Sequence, residues 1–537
     1  MNPVTESICA LCLLLFTCAL DASAQPCEKL KNSGSLPNEI RIADDRGDHG
    51  APNPFRHYPR GSGYVRMSWV FDTLVWKDRN GSFVPSLAAS WSYEEKEGTW
   101  IFNLDEKARW HDGRPVTADD VAFSFAYYEK HPYPWADTSV VEKVEVLSPH
   151  SVQLYPRRPY APFLAEIGGT LPIIPKHIWQ DIDDPRRFNA PEAFIGSGPY
   201  QFRDFNKVRG TYLFEAFADY HLGAPRVQRL IYLRSANPLA ALATRQADLA
   251  AIRPEMIEPL KREGMCIIED ERGWVRKLMI NHRRFPFSER SFRQALAHAI
   301  DRDKLIAKSQ RGHAEAASFG LLSADHPFYN PDTPHYRHDP ARALELLTEL
   351  GFTRNDGGVL ERDGKPLRVQ LLSTRMTVAG GTGGERDGLI LKQQLQAIGM
   401  EVDLLTLEQT TADQKISGFD FDLALSGHGG IAGDPRILNE MILPGRGGSN
   451  FNNARFEDSP LLTDLLQKQL AEMNPGRRHE LVAQAQEIIA RELPAIPLYH
   501  PRGLSAYRSE SGIEWFYTPG GLGKGVPIAQ NKRALLP

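Results

Sequence analysis

The chain has 537 residues, of which 42% are hydrophobic and 24% are charged. These fractions are close to the average for soluble globular proteins, so disordered and fibrous classes are excluded. Lys and Arg total 63 against 67 Asp and Glu, and the net charge of -4 gives no basic surplus that would favour nucleic acid as a partner. A chain of this length predicts about two to four domains.

The N-terminus predicts export from the cytoplasm. Residues 8–20 form an apolar run that is shorter than the roughly 20 residues a membrane-spanning helix needs. The small-x-small motif Ala22-Ser23-Ala24 follows, so we expect a signal peptide at 1–24, cleavage after Ala24 and a periplasmic protein. The segment before the run lacks Lys and Arg and contains Glu6, which leaves a short N-terminal anchor or a wrongly assigned start as alternatives.

Cleavage after Ala24 would leave two of the five cysteines, Cys27 and Cys266, in the mature chain. Two thiols in an oxidising compartment can form one disulfide. The sequence does not show that they meet, and one buried thiol with one thiol near the terminus is an equal alternative.

Strand and helix patterns alternate along the mature chain, beginning with a short strand at 40–43. Residues 99–104 alternate apolar and polar side chains, and this period of two predicts a strand. Thr117 followed by two aspartates is typical of a helix N-terminus and predicts a helix that ends near Lys130.

The second half of the chain repeats the step from helix to strand. Helices are predicted at 292–299, 341–350, 389–398, 460–473 and 476–492, and strands at 367–372, 402–407 and 495–499. This alternation indicates open sheets covered by helices, which is the α/β class. Ligands of such folds lie in crevices beyond strand ends or between domains.

Motifs for catalysis are missing from the sequence. There is no G-x-S-x-G nucleophile elbow and no H-E-x-x-H metal motif, and Gly523-Lys524 lacks the spacing of a P-loop. His335 and His338 have metal-ligand spacing, but they lie in a proline-flanked loop that favours surface histidines. We therefore expect no catalytic residue, no metal and no cofactor, and a protein that is not an enzyme.

Several sequence runs occur together between residues 64 and 500. They are FDTLV at 71–75, PSLAASW at 85–91, WHDGRPVTADDV at 110–121, GSGPY at 196–200, RQALAHAIDR at 293–302, GFDFD at 418–422 with DP at 434–435, and PAIPLY at 494–499. In this order they resemble the extracellular solute-binding proteins of peptide and nickel ABC importers, family 5. Their turn, cap and aromatic residues need no ligand to explain them, so they indicate the family and not the site.

The resemblance implies a type II periplasmic binding protein with two α/β lobes, a hinge, and an extra domain inserted on lobe I. The implied boundaries are 25–63, 201–288 and 501–537 for lobe I, 64–200 for the inserted domain, and 289–500 for lobe II. The family closes its lobes over the ligand by hinge motion. Implied partners are a peptide or similar small solute and the ABC permease and ATPase subunits, with the binding protein itself a monomer.

In peptide-binding members, an aspartate four residues before the proline of the D-P element holds the α-ammonium of the peptide. This chain has Ile431 at that position, and an apolar side chain cannot neutralise a buried ammonium. Either another acid such as Asp434 takes that role, or the ligand is not held by a free amine.

Three more residues are candidate ligand contacts, each with a structural alternative. His428 replaces a tryptophan common in the family and would ligate a metal chelate or bond a carboxylate, or else be an ordinary loop histidine. Arg436 would pair with a ligand carboxylate or with its neighbour Asp434. Arg276, near the expected lobe junction, would face the ligand or form a structural ion pair.

The sequence therefore predicts an extracytoplasmic substrate-binding protein that delivers a peptide-like solute to an ABC importer. Within the class, the alternative is a binder of nickel–metallophore or another small solute, which is favoured if His428 faces the cleft and no acid does. From another class, the alternative is a secreted hydrolase, which requires a nucleophile–base pair that the sequence does not show.

Overall fold

The computed structural model describes residues 36–45, 47–59, 61–270, 272–374, 384–443 and 459–537. The predicted signal peptide at 1–24 and Cys27 lie outside these residues. Within the described ranges, no helix combines the length and the apolar character needed to cross a membrane. The fold is mixed α/β with two lobes, as predicted, and each lobe is built on one large sheet.

Seven strands form the sheet of the first lobe. In spatial order they are Cys266–Glu269, Leu504–Tyr507, Leu249–Ala251, Glu39–Asp44, Arg229–Arg234, Thr211–Ala216 and Tyr200–Asn206. The strand predicted at 40–43 lies at the centre and pairs in parallel with both neighbours. Ile40 and Ile42 are buried because alternate residues of a strand point to the same face.

A four-stranded antiparallel sheet belongs to the same lobe. Its strands in spatial order are Ala88–Glu94, Thr99–Leu104, Ser151–Pro156 and Val141–Ser148, and a hairpin of Val75–Lys77 and Phe83–Pro85 lies beside it. The strand predicted at 99–104 is confirmed. Helix Ala118–Lys130 begins as predicted, with the Thr117 backbone N–H donating to Asp120 Oδ2 at 2.9 Å. One hydrophobic cluster includes side chains of both sheets, so they share a core.

Six strands form the sheet of the second lobe. In spatial order they are Ala314–Ala316, Ala495–Pro501, Trp274–Ile280, Leu423–Gly429, Arg368–Thr374 and Glu401–Leu407. The last three are mutually parallel, so their carboxyl ends lie at one edge of the sheet. The strands predicted at 367–372, 402–407 and 495–499 are confirmed to within two residues.

Helices cover the sheets, and a small antiparallel sheet of Thr353–Arg354, Leu360–Arg362 and Lys365–Pro366 lies on the second lobe. In the described ranges the helices are Gly61–Ser68, Ala118–Lys130, Lys176–Trp179, Pro238–Ala243, Ile257–Arg262, Arg290–Ala299, Arg302–Ser309, Pro340–Glu349, Gly384–Ala397, Gln409–Ser417, Ile437–Ile442, Pro460–Ala471 and Pro475–Glu492. All five helices predicted in the second half are present, but the one predicted at 389–398 begins earlier, at Gly384.

The buried apolar residues separate by lobe. The clusters of the first lobe take their buried members from positions up to 266 and from 504 onwards, whereas those of the second lobe take theirs from 275 to 499. Among the described residues, no cluster combines buried members of both lobes. Half-buried Met473 of the second lobe does pack against the first-lobe core.

The chain crosses between the two sheets twice in the described ranges. One crossing joins strand Cys266–Glu269 to strand Trp274–Ile280, and the other joins strand Ala495–Pro501 to strand Leu504–Tyr507. We propose that these crossings are the hinge. The predicted boundaries place residues 201–288, and with them strand Trp274–Ile280, in the first lobe. The hydrogen bonds of this strand instead place it in the sheet of the second lobe.

Ion pairs connect the two crossings. Arg502 pairs with Glu269 of the first lobe at 2.6 Å and with Glu315 of the second lobe at 2.9 Å. Arg272, in the other crossing, also pairs with Glu315 and reaches Asp325 at 3.0 Å. All five of these side chains are partly exposed, so solvent and salt weaken the attraction between them.

Cys266 is disulfide-bonded. Cys27 and the three remaining cysteines lie outside the described residues. A disulfide is consistent with the oxidising compartment that the N-terminus predicts.

The GSGPY run at 196–200 packs against the turn after helix Gly61–Ser68. Gly198 N–H donates to the Val70 carbonyl at 2.8 Å, and Tyr200 N–H donates to the Trp69 carbonyl at 3.0 Å. A Cβ on Gly196 would lie 1.9 Å from the Val70 carbonyl oxygen. The run needs glycine because two backbone segments touch there, which is a structural role.

Gly196→Ala is expected to lower the free energy of unfolding by about 3 kcal/mol, because the added methyl group collides with backbone that cannot move aside. Urea unfolding followed by circular dichroism measures this loss. The matched control is Gly476→Ala in the first turn of helix Pro475–Glu492, where an added Cβ would meet only the Asn474 side-chain oxygen, at 3.4 Å. Equal stabilities of the two variants would contradict the packing argument.

Candidate functional site

Charged side chains and one histidine meet where the two lobes face each other, and we name this group the cleft cluster. Its members from the first lobe are Lys77, Glu166 and Lys524, and those from the second are Lys277, His428, Asp434, Arg436, Glu440 and Arg478. Backbone also meets backbone, since Ala161 N–H donates to the Leu470 carbonyl at 2.8 Å. The two lobes are therefore closed on each other.

Arg436 forms the ion pair that links the lobes most directly. Its Nε lies 2.7 Å from Oε2 of Glu166. Glu166 belongs to the short π-helix Leu164–Gly168 of the first lobe. Its Nη2 lies 3.0 Å from Glu440 Oε2, one helical turn further along its own lobe. Burial alone would lower the pKa of Arg436, but Glu166 and the neighbouring anionic groups raise it above its usual value. The predicted site residue Arg436 thus lies in the cleft and is already neutralised.

Glu440 is the second point of contact between the lobes. Its Oε2 lies 2.9 Å from Lys524 Nζ of the first lobe, as well as close to Arg436. Burial would raise the pKa of Glu440, but Lys524, His428 and Arg436 hold it below the usual value. Four side chains of alternating charge are therefore linked in a row that starts and ends in the first lobe: Glu166, Arg436, Glu440 and Lys524.

Asp434, the predicted substitute for the missing aspartate, has a partner within its own lobe. Its two carboxylate oxygens accept from the guanidinium of Arg478 at 2.6 and 2.8 Å, and the Arg436 backbone N–H donates to it at 2.8 Å. Arg478 also donates to Gln469, which fixes the guanidinium in place. The geometry is the bidentate one that makes such pairs strong.

His428 belongs to the cleft cluster and lies near the end of strand Leu423–Gly429. Its Nε2 lies 3.7 Å from Glu440 Oε1, and its Nδ1 lies 2.7 Å from the Gly429 carbonyl oxygen. Burial, and after it the nearby Lys277 ammonium, lower the pKa of His428 to about 4, so the ring is neutral near pH 7. Within the described ranges, no three His, Cys, Asp or Glu side chains gather as metal ligands would.

Arg276 faces the opposite side of its sheet. Its Nε lies 3.1 Å from Asp387 Oδ2 of helix Gly384–Ala397, and the Tyr499 hydroxyl donates to the same oxygen at 2.7 Å. The side chains of Arg276 and Asp387 are 4% and 0% exposed, so this is an ion pair of the protein interior. The structure thus brings His428, Asp434 and Arg436 together and separates Arg276 from them.

Ile431 is fully buried, at 0% exposure. It packs in a second-lobe cluster that includes Val275, Ile437 and Leu438. The position from which peptide-binding members were expected to hold an ammonium is therefore occupied here by a core side chain.

Six charged residues of the cleft cluster were not predicted from the sequence. They are Lys77, Glu166, Lys277, Glu440, Arg478 and Lys524. Some local signals exist: Lys277 interrupts an apolar strand, Glu440 follows Arg436 at the i+4 spacing of a helical ion pair, and Lys524 lies between glycines. Glu166 and Lys77 carry no such signal, because only the tertiary fold brings them to the cleft.

Comparison with known proteins places this geometry in context. A sequence model described as bacterial extracellular solute-binding proteins, family 5 Middle, matches residues 82–450. The dipeptide-binding protein of Escherichia coli K12 is 23% identical over 459 residues, which cover 80% of this chain and 82% of that protein. The nickel-binding periplasmic protein of the same organism is 22% identical and covers 86% and 89% of the two chains.

The solved structure of the oligopeptide-binding protein AppA from Bacillus subtilis, in complex with a nonapeptide, has the same fold. It superposes with a TM-score of 0.74 at 19% identity, and the match covers 93% of this chain and 100% of that one. Two lobes closed on a charged cleft, together with the sequence model that matches residues 82–450, define the class of bacterial extracellular solute-binding proteins. The chain belongs to the bacterial extracellular solute-binding proteins of family 5, which confirms the resemblance read from its motifs. Proteins of this family bind solutes for transport.

Ile431→Asp is expected to destabilise the protein by roughly 3 kcal/mol or more, because it buries a carboxyl group among apolar side chains. We also expect no gain in affinity for peptides with a free amine, since the new acid faces the core. Urea unfolding and calorimetry with Ala-Ala test the two parts. Ile431→Val is the control, with an expected loss of about 1 kcal/mol; a stable Asp variant with tighter peptide binding would show that residue 431 faces the ligand.

Acid is expected to destabilise the protein between about pH 6.5 and pH 4. Burial lowers the pKa of His57, His111, His282, His428 and His500 to about 4 each, whereas an unfolded histidine titrates near 6.5. In that window the unfolded chain binds protons that the folded chain does not, so stability is full above pH 6.5 and falls as the pH falls.

Urea unfolding at a series of pH values measures this dependence. His428→Asn should reduce the slope by up to one proton, which is about 1.4 kcal/mol per pH unit. The matched control is His338→Asn, which changes an exposed histidine of the same lobe. An unchanged slope in His428→Asn would mean that His428 titrates alike in the folded and unfolded states.

Proposed function

We propose that the chain is the substrate-binding protein of an ABC importer and that it binds a peptide-like solute between its two lobes. It acts as a monomer and delivers this solute to the permease and ATPase subunits. The observation that carries the proposal is the cleft cluster, where side chains of both lobes form ion pairs around the expected ligand position. Membership of family 5 and the similarity to a dipeptide-binding protein support it.

The cleft suits binding and release better than chemistry. Its charged groups are held by one another: Glu166 and Glu440 by Arg436 and Lys524, and Asp434 by Arg478. A solute entering between the lobes would exchange some of these contacts for its own, and closure around it would present one closed surface to the permease. The function of the protein is then to recognise the solute and to report its presence.

Export is part of the proposal. We propose that residues 1–24 are a signal peptide cleaved after Ala24, so that the mature protein begins at Gln25 in the periplasm. The disulfide of Cys266 and the relation to a nickel-binding periplasmic protein support this location.

A nickel–metallophore is the second candidate solute. It is favoured by the presence of His428 in the cleft cluster and by the similarity to the nickel-binding protein, whereas the acid Glu440 beside His428 counts against it. The neutral imidazole of His428 is the form that binds metals, although its Nε2 already lies 3.7 Å from Glu440.

Native mass spectrometry of the protein purified from its own periplasm is expected to show a mass excess from small co-purified solutes of peptide-like composition. The control is the same preparation after denaturation and refolding, which should lack the excess. A single metal chelate in place of peptides would move the assignment to the metallophore. Turnover of a peptide by a protein that retains no solute would contradict a binding function. The mass of the intact protein also tests whether the mature chain begins at Gln25.

A further inference from the structure

Two tight turns, one from each lobe, meet at backbone distance beside the cleft cluster. The first-lobe turn runs from Leu522 to Val526, and two hydrogen bonds between the backbones of these residues close it, at 3.0 and 2.7 Å. Both side chains are buried in the first-lobe core, which fixes the turn in place. The tip of the turn carries Lys524 and Gly525 and faces the second lobe.

The second-lobe turn is formed by residues 430–433. Gly430 N–H donates to the Gly273 carbonyl at 2.9 Å, and Gly433 N–H donates back to the Gly430 carbonyl at 3.0 Å. Ile431 anchors the turn in the second-lobe core, where its side chain is fully buried. Because Gly273 lies in one of the two crossings between the sheets, this turn is attached close to the proposed hinge.

Glycine is the residue that allows the two turns to touch. A Cβ on Gly525 would have three atoms of Gly430 as its nearest neighbours, two of them at 2.8 Å. A Cβ on Gly430 would lie 2.9 Å from the Lys524 carbonyl oxygen. These distances are well inside the roughly 3.5 Å of an ordinary contact, so a side chain on either glycine would collide with the opposite lobe. Each turn is anchored in its own core, so neither can easily move aside.

We propose that this glycine contact limits the closing motion, and that Gly430 and Gly525 are positioning residues that let the lobes approach until their backbones touch. At that distance Lys524 lies 2.9 Å from Glu440, so the same contact sets the ion pair that joins the lobes. The consequence for the solute rests on the proposed function, because the closed position is the one in which the solute is held. A side chain at the contact would keep the lobes apart and release the solute sooner.

Gly525→Ala is expected to shift the protein toward the open form, with a loss of about tenfold or more in the ratio of closed to open molecules. Small-angle X-ray scattering should give a larger radius of gyration, and native mass spectrometry should show less retained solute. The matched control is Gly264→Ala. The two glycines have similar positive φ angles, +81° and +76°, so their backbone strain is matched. A Cβ on Gly264 would have no neighbour within 4 Å among the described residues.

Gly430→Ala repeats the test from the second lobe and keeps it valid if Gly525→Ala does not fold. Its control is Gly358→Ala, since φ is +83° at Gly430 and +79° at Gly358, and a Cβ on Gly358 would meet no described atom within 4 Å. The double variant of Gly430 and Gly525 should open little further than either single variant, because one added methyl group already separates the turns. Circular dichroism of each variant should match that of its control, so that a larger radius reports opening and not unfolding.

The two readouts separate this inference from the function beneath it. Equal radii of gyration in each variant and its control would overturn the glycine contact, whether or not the proteins retain solute. Independent, additive effects of the two substitutions in the double variant would also overturn it. A wild-type protein that retains no solute, together with larger radii in both variants, would reject the proposed binding function and support the contact.

Discussion

The ion pair between Arg436 and Glu166 is the contact on which the closed arrangement depends. It joins the second lobe to the first through two side chains that are mostly buried, and it is continued through Glu440 to Lys524. Separating partly buried ions without water to receive them is costly, so these pairs can part only as the cleft hydrates. Opening of the cleft and hydration of these ions would therefore occur together. A solute that supplies its own charges would shift the balance between the open and closed forms at that step.

The fold was largely predictable from the sequence because its signals are local. The strand at 99–104 and the helix that begins after Thr117 show their period and cap within a few residues. The runs that identify the family also act locally or in the core, as Gly196 does where two backbone segments touch. They record how the lobes are built, which explains why they indicate the family but not the ligand.

The site was less predictable, and strand Trp274–Ile280 shows why. Arg276 and Lys277 are adjacent, so they point to opposite faces of the sheet: Arg276 to Asp387 in the interior, and Lys277 to the face with His428 and Glu440. The sequence shows that a charged pair interrupts an apolar strand, but not which face meets the other lobe. The partner of Asp434 is similarly distant, since Arg478 lies 44 residues further along.

The separation of apolar clusters by lobe has a consequence for the life of the protein between transport cycles. Each lobe would keep its core if the cleft opened. Among the described residues, the contacts that would separate include the ion pairs of the cleft cluster and the apolar side chain of Met473. In an open form, the charged side chains of these pairs would be hydrated, and their charges would help to keep separate molecules apart. The same residues that pair across the closed cleft would in this way oppose aggregation when it is open.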